Sequence, residues 1–246
     1  MRLKTIRDAL IIAELKSFPD LKRQPLMLVL VGLVSSIPLF FLLIFGGPIQ
    51  QGLIGAMIAT IGFIGLVAAI QDITWDRYIK IREMIVAMPV RPVSYAIGIA
   101  LAPLLISTPG LVFFVAVALW QGFLPLSSLG WTMAVLILCW AATSSIGFII
   151  STYLQKASVY TLNSMSNILG LGLIFIPPVY YPEEFLGGFS WMAAVFPTSN
   201  AASLIRNYSG QYSLPTEIVL ARWLILIGFV IASTIIVSIK TRWRET

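Results

Sequence analysis

The stretch LIGAMIATIGFIGLVAAI, residues 53–70, contains no charged side chain, and it runs directly into QDITWDRYIKIREMIVAMP, residues 71–89, where charges return at helical spacing. A helix rises about 1.5 Å per residue, so the first stretch approaches the ~30 Å thickness of bilayer hydrocarbon. The second is two-faced. At about 100° per residue, Tyr78, Ile81, Ile85 and Met88 fall on one side, and Asp72, Asp76, Lys80 and Glu83 on the other. A membrane-length helix therefore leads into an amphipathic surface segment, which reads either as a helix lying on the headgroups or as a docking surface for a partner.

The same contrast runs through the whole chain. Of 246 residues, 59% are hydrophobic and only 11% charged, against roughly 25% charged in a soluble domain. We therefore expect an all-α integral membrane protein forming a single transmembrane domain over residues 1–246. Six runs are candidate membrane helices: 26–45, 53–70, 93–119, 129–153, 159–176 and 219–239. They are continuous and do not alternate over ~10 residues, which argues against a β-barrel.

The first 25 residues mix Arg2, Lys4, Arg7, Lys16, Lys22 and Arg23 with acidic residues, so no cleaved signal peptide is expected. A single cysteine, Cys139, precludes an intrachain disulfide or a cysteine metal cluster, and the absence of histidine removes histidine-based catalysis. Fourteen of the sixteen Lys and Arg residues fall on one side of the expected topology, and only Arg206 and Arg222 on the other. Lysine and arginine accumulate in cytoplasmic loops, which predicts a plasma-membrane, multi-pass protein with both termini in the cytoplasm. The basic residues are dispersed along membrane edges, so the net charge of +6 does not point to nucleic acid.

No span centre carries a charge, which argues against a proton-relay or ion-coupled carrier. What the spans carry is small and neutral polar residues. Gly52, Gly55, Ala59, Gly62, Gly65 and Ala69 form a smooth stripe on which another helix can pack closely. The run 159–176 is the most polar of the six, with Tyr160, Asn163, Ser164, Ser166 and Asn167. Amides in hydrocarbon need partners, so Asn163 and Asn167 either bond across a helix interface or line a wet cavity. Pro103 and Pro109 predict kinks in the run 93–119.

Residues 177–215 form the long outer connection, kept oily by Phe185, Trp191, Met192, Val195 and Phe196. The stretch between Pro182 and Pro197 is too short to span and reads as an outer re-entrant or interfacial helical hairpin. Residues 1–25 read as an N-terminal interfacial helix with Leu3, Ile6, Leu10 and Ala13 on a shared face.

The run REMIVAMPVRPVSYAIG, residues 82–98, resembles the signature after the second span of ABC type 2 exporter permeases: Glu83, then Pro89 six residues on, then Gly98 nine beyond that. FPTSNAASLIR, residues 196–206, is similar to that family's stretch before the last span, with Pro197 followed nine residues later by Arg206. Ile99 stands where a basic residue often follows the family's Gly, and Ser199 and Asn200 stand where many members carry an aromatic.

The resemblance implies a permease dimer, formed with a second copy or a homologue. It also implies a cytoplasmic coupling helix in segment 71–92, seated in a groove of a separate ATPase. The residues so implicated in ATPase coupling are Asp76, Tyr78, Arg82, Glu83, Ile85, Met88 and Pro89. The chain has no G-x-x-x-x-G-K-[ST] phosphate loop and no nucleotide-binding domain, so it binds no cofactor itself, and ATP and Mg belong to the partner. The implied substrate pathway is lined by Tyr160, Asn163, Ser164 and Asn167, with Phe63 and Leu66 as apolar partners. The expected cargo is apolar or amphiphilic, such as a drug-like molecule or a lipid. Alternatives are a lipid-linked glycan, whose sugars Trp120, Trp131, Tyr180, Tyr181 and Trp191 could stack, an ATP-independent channel, and a membrane-anchoring subunit without a pathway.

Overall fold

The computed structural model describes residues 2–23, 26, 37, 40, 44, 47–79, 92–154 and 156–240. The expected run 26–45 and the segment 80–91 therefore lie almost wholly outside the described residues, and with the latter go Arg82, Glu83, Ile85, Met88 and Pro89. Among the described residues the chain is all-helical, with no strand. Its main helices are α1 (Arg2–Arg23), α2 (Ile49–Tyr78), α3 (Pro92–Trp120), α4 (Leu129–Tyr153), α5 (Val159–Phe175), α6 (Pro197–Tyr208) and α7 (Thr216–Lys240). Four of them, α2, α3, α4 and α7, contain stretches long and apolar enough to cross a membrane, whereas α5 is apolar but only 17 residues long.

α2 is the axis of the bundle. It packs against α3, α4, α5 and α6, and 83% of its most apolar window is buried, against 17% for α7. The glycine stripe explains how so many helices reach one axis. A Cβ on Gly65 would lie 2.7 Å from Thr143 Oγ1, and one on Gly147 would lie 2.7 Å from the Leu66 carbonyl, so α2 and α4 approach backbone to backbone. On another side of α2, the Phe63 ring fills the notch at Gly170 of α5. Thr60, Thr74 and Thr143 return their hydroxyls to carbonyls of their own helices, so these polar residues sit in the core without leaving a donor unmet.

The helix α2 runs eight residues beyond the apolar stretch that announced it. Asp72, Asp76 and Tyr78 thus belong to the same unbroken helix as the core residues of 53–70. α3 continues through both Pro103 and Pro109, and the hydroxyls of Ser107 and Thr108 return to the Leu104 carbonyl between them. α5 starts at Ser158, whose Oγ accepts from the Thr161 amide at 3.1 Å, and stops at Pro177 and Pro178, which have no amide hydrogen to continue it.

Two of the expected elements gain detail in the fold. α1 is helical, but it docks on α3 through Ala9, Ala13 and Ser17, leaving Ile6 and Leu10 exposed. The contact is too close for larger residues: a Cβ on Gly98 would come within 2.7 Å of Ile12. In the connection 177–215, the stretch between Pro182 and Pro197 forms only 3-10 turns over Glu183–Phe189, broken at Gly187, and a four-residue helix, Met192–Val195. The larger element is α6, which follows Pro197 and is buried from Pro197 to Arg206.

Gly55 faces the buried ring of Tyr180, which occupies the place its Cβ would take. Gly55→Ala should lower stability by about 1–3 kcal/mol through overpacking. The same substitution should cost clearly less in a Tyr180→Ala background, as read by thermal unfolding of the detergent-solubilised protein.

Candidate functional site

At one end of the bundle, the end carrying Asp76, three helices meet on a single carboxylate. Asp76 is 4% exposed, Lys16 Nζ of α1 lies 2.7 Å from its Oδ2, and the Tyr95 hydroxyl of α3 donates to the same oxygen. The sequence placed Asp76 on a polar face beside Lys80. Its ion-pair partner in the fold is Lys16, sixty residues earlier, because docking of α1 on α3 carries that ammonium over the end of α2. Asp76 is thus a buried bracket and not an exposed contact.

Tyr78, two residues on, is 66% exposed and stands edge-on to Trp75 at 5.7 Å. Arg77 Nη2 donates to the Ser151 carbonyl at 2.8 Å, meeting one of the otherwise unpaired carbonyls at the end of α4. Between this end of α2 and the start of α5 lies an open cleft of about 380 Å³, lined by Thr74, Trp75, Arg77, Tyr78, Ser158 and Tyr160, with Ala157 and Val159.

The α5 residues expected to line a pathway do share one surface. Tyr160, Asn163, Ser164 and Asn167 are all exposed, and Asn167 Nδ2 donates to the Asn163 carbonyl at 3.1 Å. The two apolar candidates stand elsewhere. Leu66 is buried with Ile70 and Leu162 on the opposite side of α5, and Phe63 is half-buried against Gly170. Among the described residues the polar face is therefore exposed. In hydrocarbon, amides so placed require a protein or water partner.

The opposite end holds a polar network that sequence reasoning did not find. Arg206 is fully buried, with Nη1 donating to the Pro178 carbonyl at 3.0 Å and Nη2 to that of Val179 at 2.7 Å. Those carbonyls belong to the break after α5, where the prolines end the helical ladder. Arg222 of α7 pairs with Glu183 at 2.7 Å and with Asn200 Oδ1 at 3.1 Å, and the Ser203 hydroxyl donates to Glu183. Asn200 in turn donates to the carbonyls of Ala194 and Phe196. The available signal was two arginines with a glutamate on the face expected to carry few charges, where isolated charges are costly.

Of the aromatics that could stack sugars, Tyr180 is buried and stacked on Phe175 at 5.9 Å, and burial pushes its phenol pKa up. Trp131 stacks on Tyr208, whose hydroxyl accepts from Trp223 Nε1 at 2.9 Å. Trp120 and Trp191 are exposed. Among the described residues, no three His, Cys, Asp or Glu side chains are grouped so as to hold a metal. Comparison of the chain with known protein families and with characterised proteins finds no match.

Removing one member of the Asp76–Lys16 pair strands the other. Asp76→Ala should cost about 3 kcal/mol, whereas the double change Asp76→Leu with Lys16→Met should cost less than Asp76→Ala alone. Thermal unfolding together with limited proteolysis within α1 separates the cases: the single variant should release α1 to protease and the double variant should not.

Proposed function

We propose that the chain is the membrane subunit of an ATP-driven exporter, with six spans and cytoplasmic termini, powered by a separate ATPase that grips the segment 78–89. It moves an apolar or amphiphilic cargo out of the cytoplasm or the inner leaflet. The observation that carries this reading is the continuity of α2. One unbroken 30-residue helix joins the packing axis of the bundle to Asp76 and Tyr78, and Asp76 is tied to α1 and α3.

A push delivered just beyond Tyr78 would then move the axis and its two attached helices together, as a rigid body does in a shear or hinge transition. Tyr78, exposed at that end, is available to a partner, and Asp76 transmits force by holding α1 and α3 to α2. Arg82, Glu83, Ile85, Met88 and Pro89 continue the same segment as its partner-facing residues. ATP and Mg bound in the partner supply the energy. The exposed polar face of α5 supports a pathway shared with a second permease subunit, because that face needs a polar partner inside the membrane.

The test is reconstitution with the ATPase that co-purifies with the chain. Cargo should stimulate ATP hydrolysis, and Tyr78→Ala combined with Glu83→Ala should lower partner binding and transport by roughly tenfold, about 1.4 kcal/mol of lost contact. Liposomes holding this chain alone should move no solute. Brisk nucleotide-independent flux would mark a channel, and would overturn the exporter reading.

A further inference from the structure

One arginine reaches both ends of the irregular segment 183–195. At the start, Arg222 Nη2 lies 2.7 Å from Glu183 Oε2, and the Ser203 hydroxyl donates to the other carboxylate oxygen. At the far end the link is indirect. Arg222 Nη1 donates to Asn200 Oδ1 at 3.1 Å, and Asn200 Nδ2 donates to the carbonyls of Ala194 at 2.9 Å and Phe196 at 2.7 Å. Chemistry fixes that amide's orientation, since a guanidinium only donates and a carbonyl only accepts. By holding the oxygen of Asn200, Arg222 aims its nitrogen at the second end.

Between these anchors the segment is loosely attached. Phe185, Phe189 and Trp191 are 79%, 64% and 63% exposed, and Gly187, in a left-handed turn at φ 51°, and Gly188 have open space where a Cβ would stand. The base of the segment is held separately, by Arg206 on the carbonyls of Pro178 and Val179. The two arginines differ in their access to water. Arg206 is fully buried, whereas the side chains of Arg222 and Glu183 keep 11% and 22% of their surface. From residue 84 to residue 244 the only carboxylates are Glu183, Glu184 and Glu217, and the last two are exposed.

We propose that residues 184–193 form a strap latched at both ends by Arg222, so that loss of this one guanidinium frees the two ends together while α6 stays folded. The latch needs a fork. A guanidinium offers separate donors to a carboxylate and to an amide oxygen in one fixed plane, which the point charge of a lysine does not reproduce. Arg222 is thus a positioning residue, and through it the three aromatic side chains of the strap are held or released in concert. The inference stands apart from the exporter reading, because it concerns the folded chain and involves no ATPase.

The experiment is amide hydrogen exchange of the full chain in mild detergent, followed by mass spectrometry of peptides covering 183–190, 191–196 and, as the control, 197–208. Arg222→Gln should speed exchange of both strap peptides roughly tenfold, the scale of one partly exposed charged hydrogen bond, and leave the control unchanged. Glu183→Gln should speed the first peptide only. Arg222→Lys, able to pair with Glu183 alone, should restore protection to the first peptide and not to the second. Because Arg222→Gln strips Glu183 of its cation, the double variant Glu183→Gln with Arg222→Gln strands no charge and should release both peptides equally well. Release of the first peptide alone by Arg222→Gln, release of both by Glu183→Gln, or faster exchange spreading into 197–208 would overturn the proposal.

Discussion

A polar group withdrawn from water into an apolar bundle must find its partner inside the protein, and in this chain that constraint organises both ends. Arg206 shows it most clearly. A fully buried guanidinium would be very costly by itself, yet here it answers the carbonyls of Pro178 and Val179 in the irregular stretch beyond α5. The cost of the arginine and the cost of the broken helix offset each other. Glu183, Asn200, Ser203 and Arg222 settle their demands in the same way, linking the irregular segment after α5 to α6 and α7.

The middle of the bundle solves the opposite problem. Lipid tails are as apolar as leucine, so greasiness alone does not draw helices together, and close packing must do so. Gly65 and Gly147 let α2 and α4 touch backbones, and Gly170 receives Phe63. Because α2 takes neighbours on several sides, it can move only with them. That property, joined to the Asp76 bracket, ties α1 and α3 to any displacement of α2.

The helices were largely legible from residue order. Runs of apolar residues long enough for a membrane located α2, α3, α4 and α7, and the small-residue stripe was rightly read as a packing surface. Tyr160, Asn163, Ser164 and Asn167, grouped through the family resemblance, lie on one exposed surface. Hydropathy did not single out α6, where Thr198, Asn200 and Ser203 find their hydrogen-bond partners only in the fold. On α1, closeness to Gly98 puts small residues inside and leaves Ile6 and Leu10 exposed.

The linear order of residues determined the helical, membrane-suited character of the chain, because burial in hydrocarbon demands long uncharged stretches and these are visible one residue at a time. Only the tertiary structure decided which charges are partners. Asp76 looked like a surface acid with a neighbour four residues on, and Arg222 like an edge charge, but Lys16 and Glu183 reach them from 60 and 39 residues away. Electrostatic pairing depends on distance in space, and no periodicity along the chain encodes that distance once separate helices have to pack.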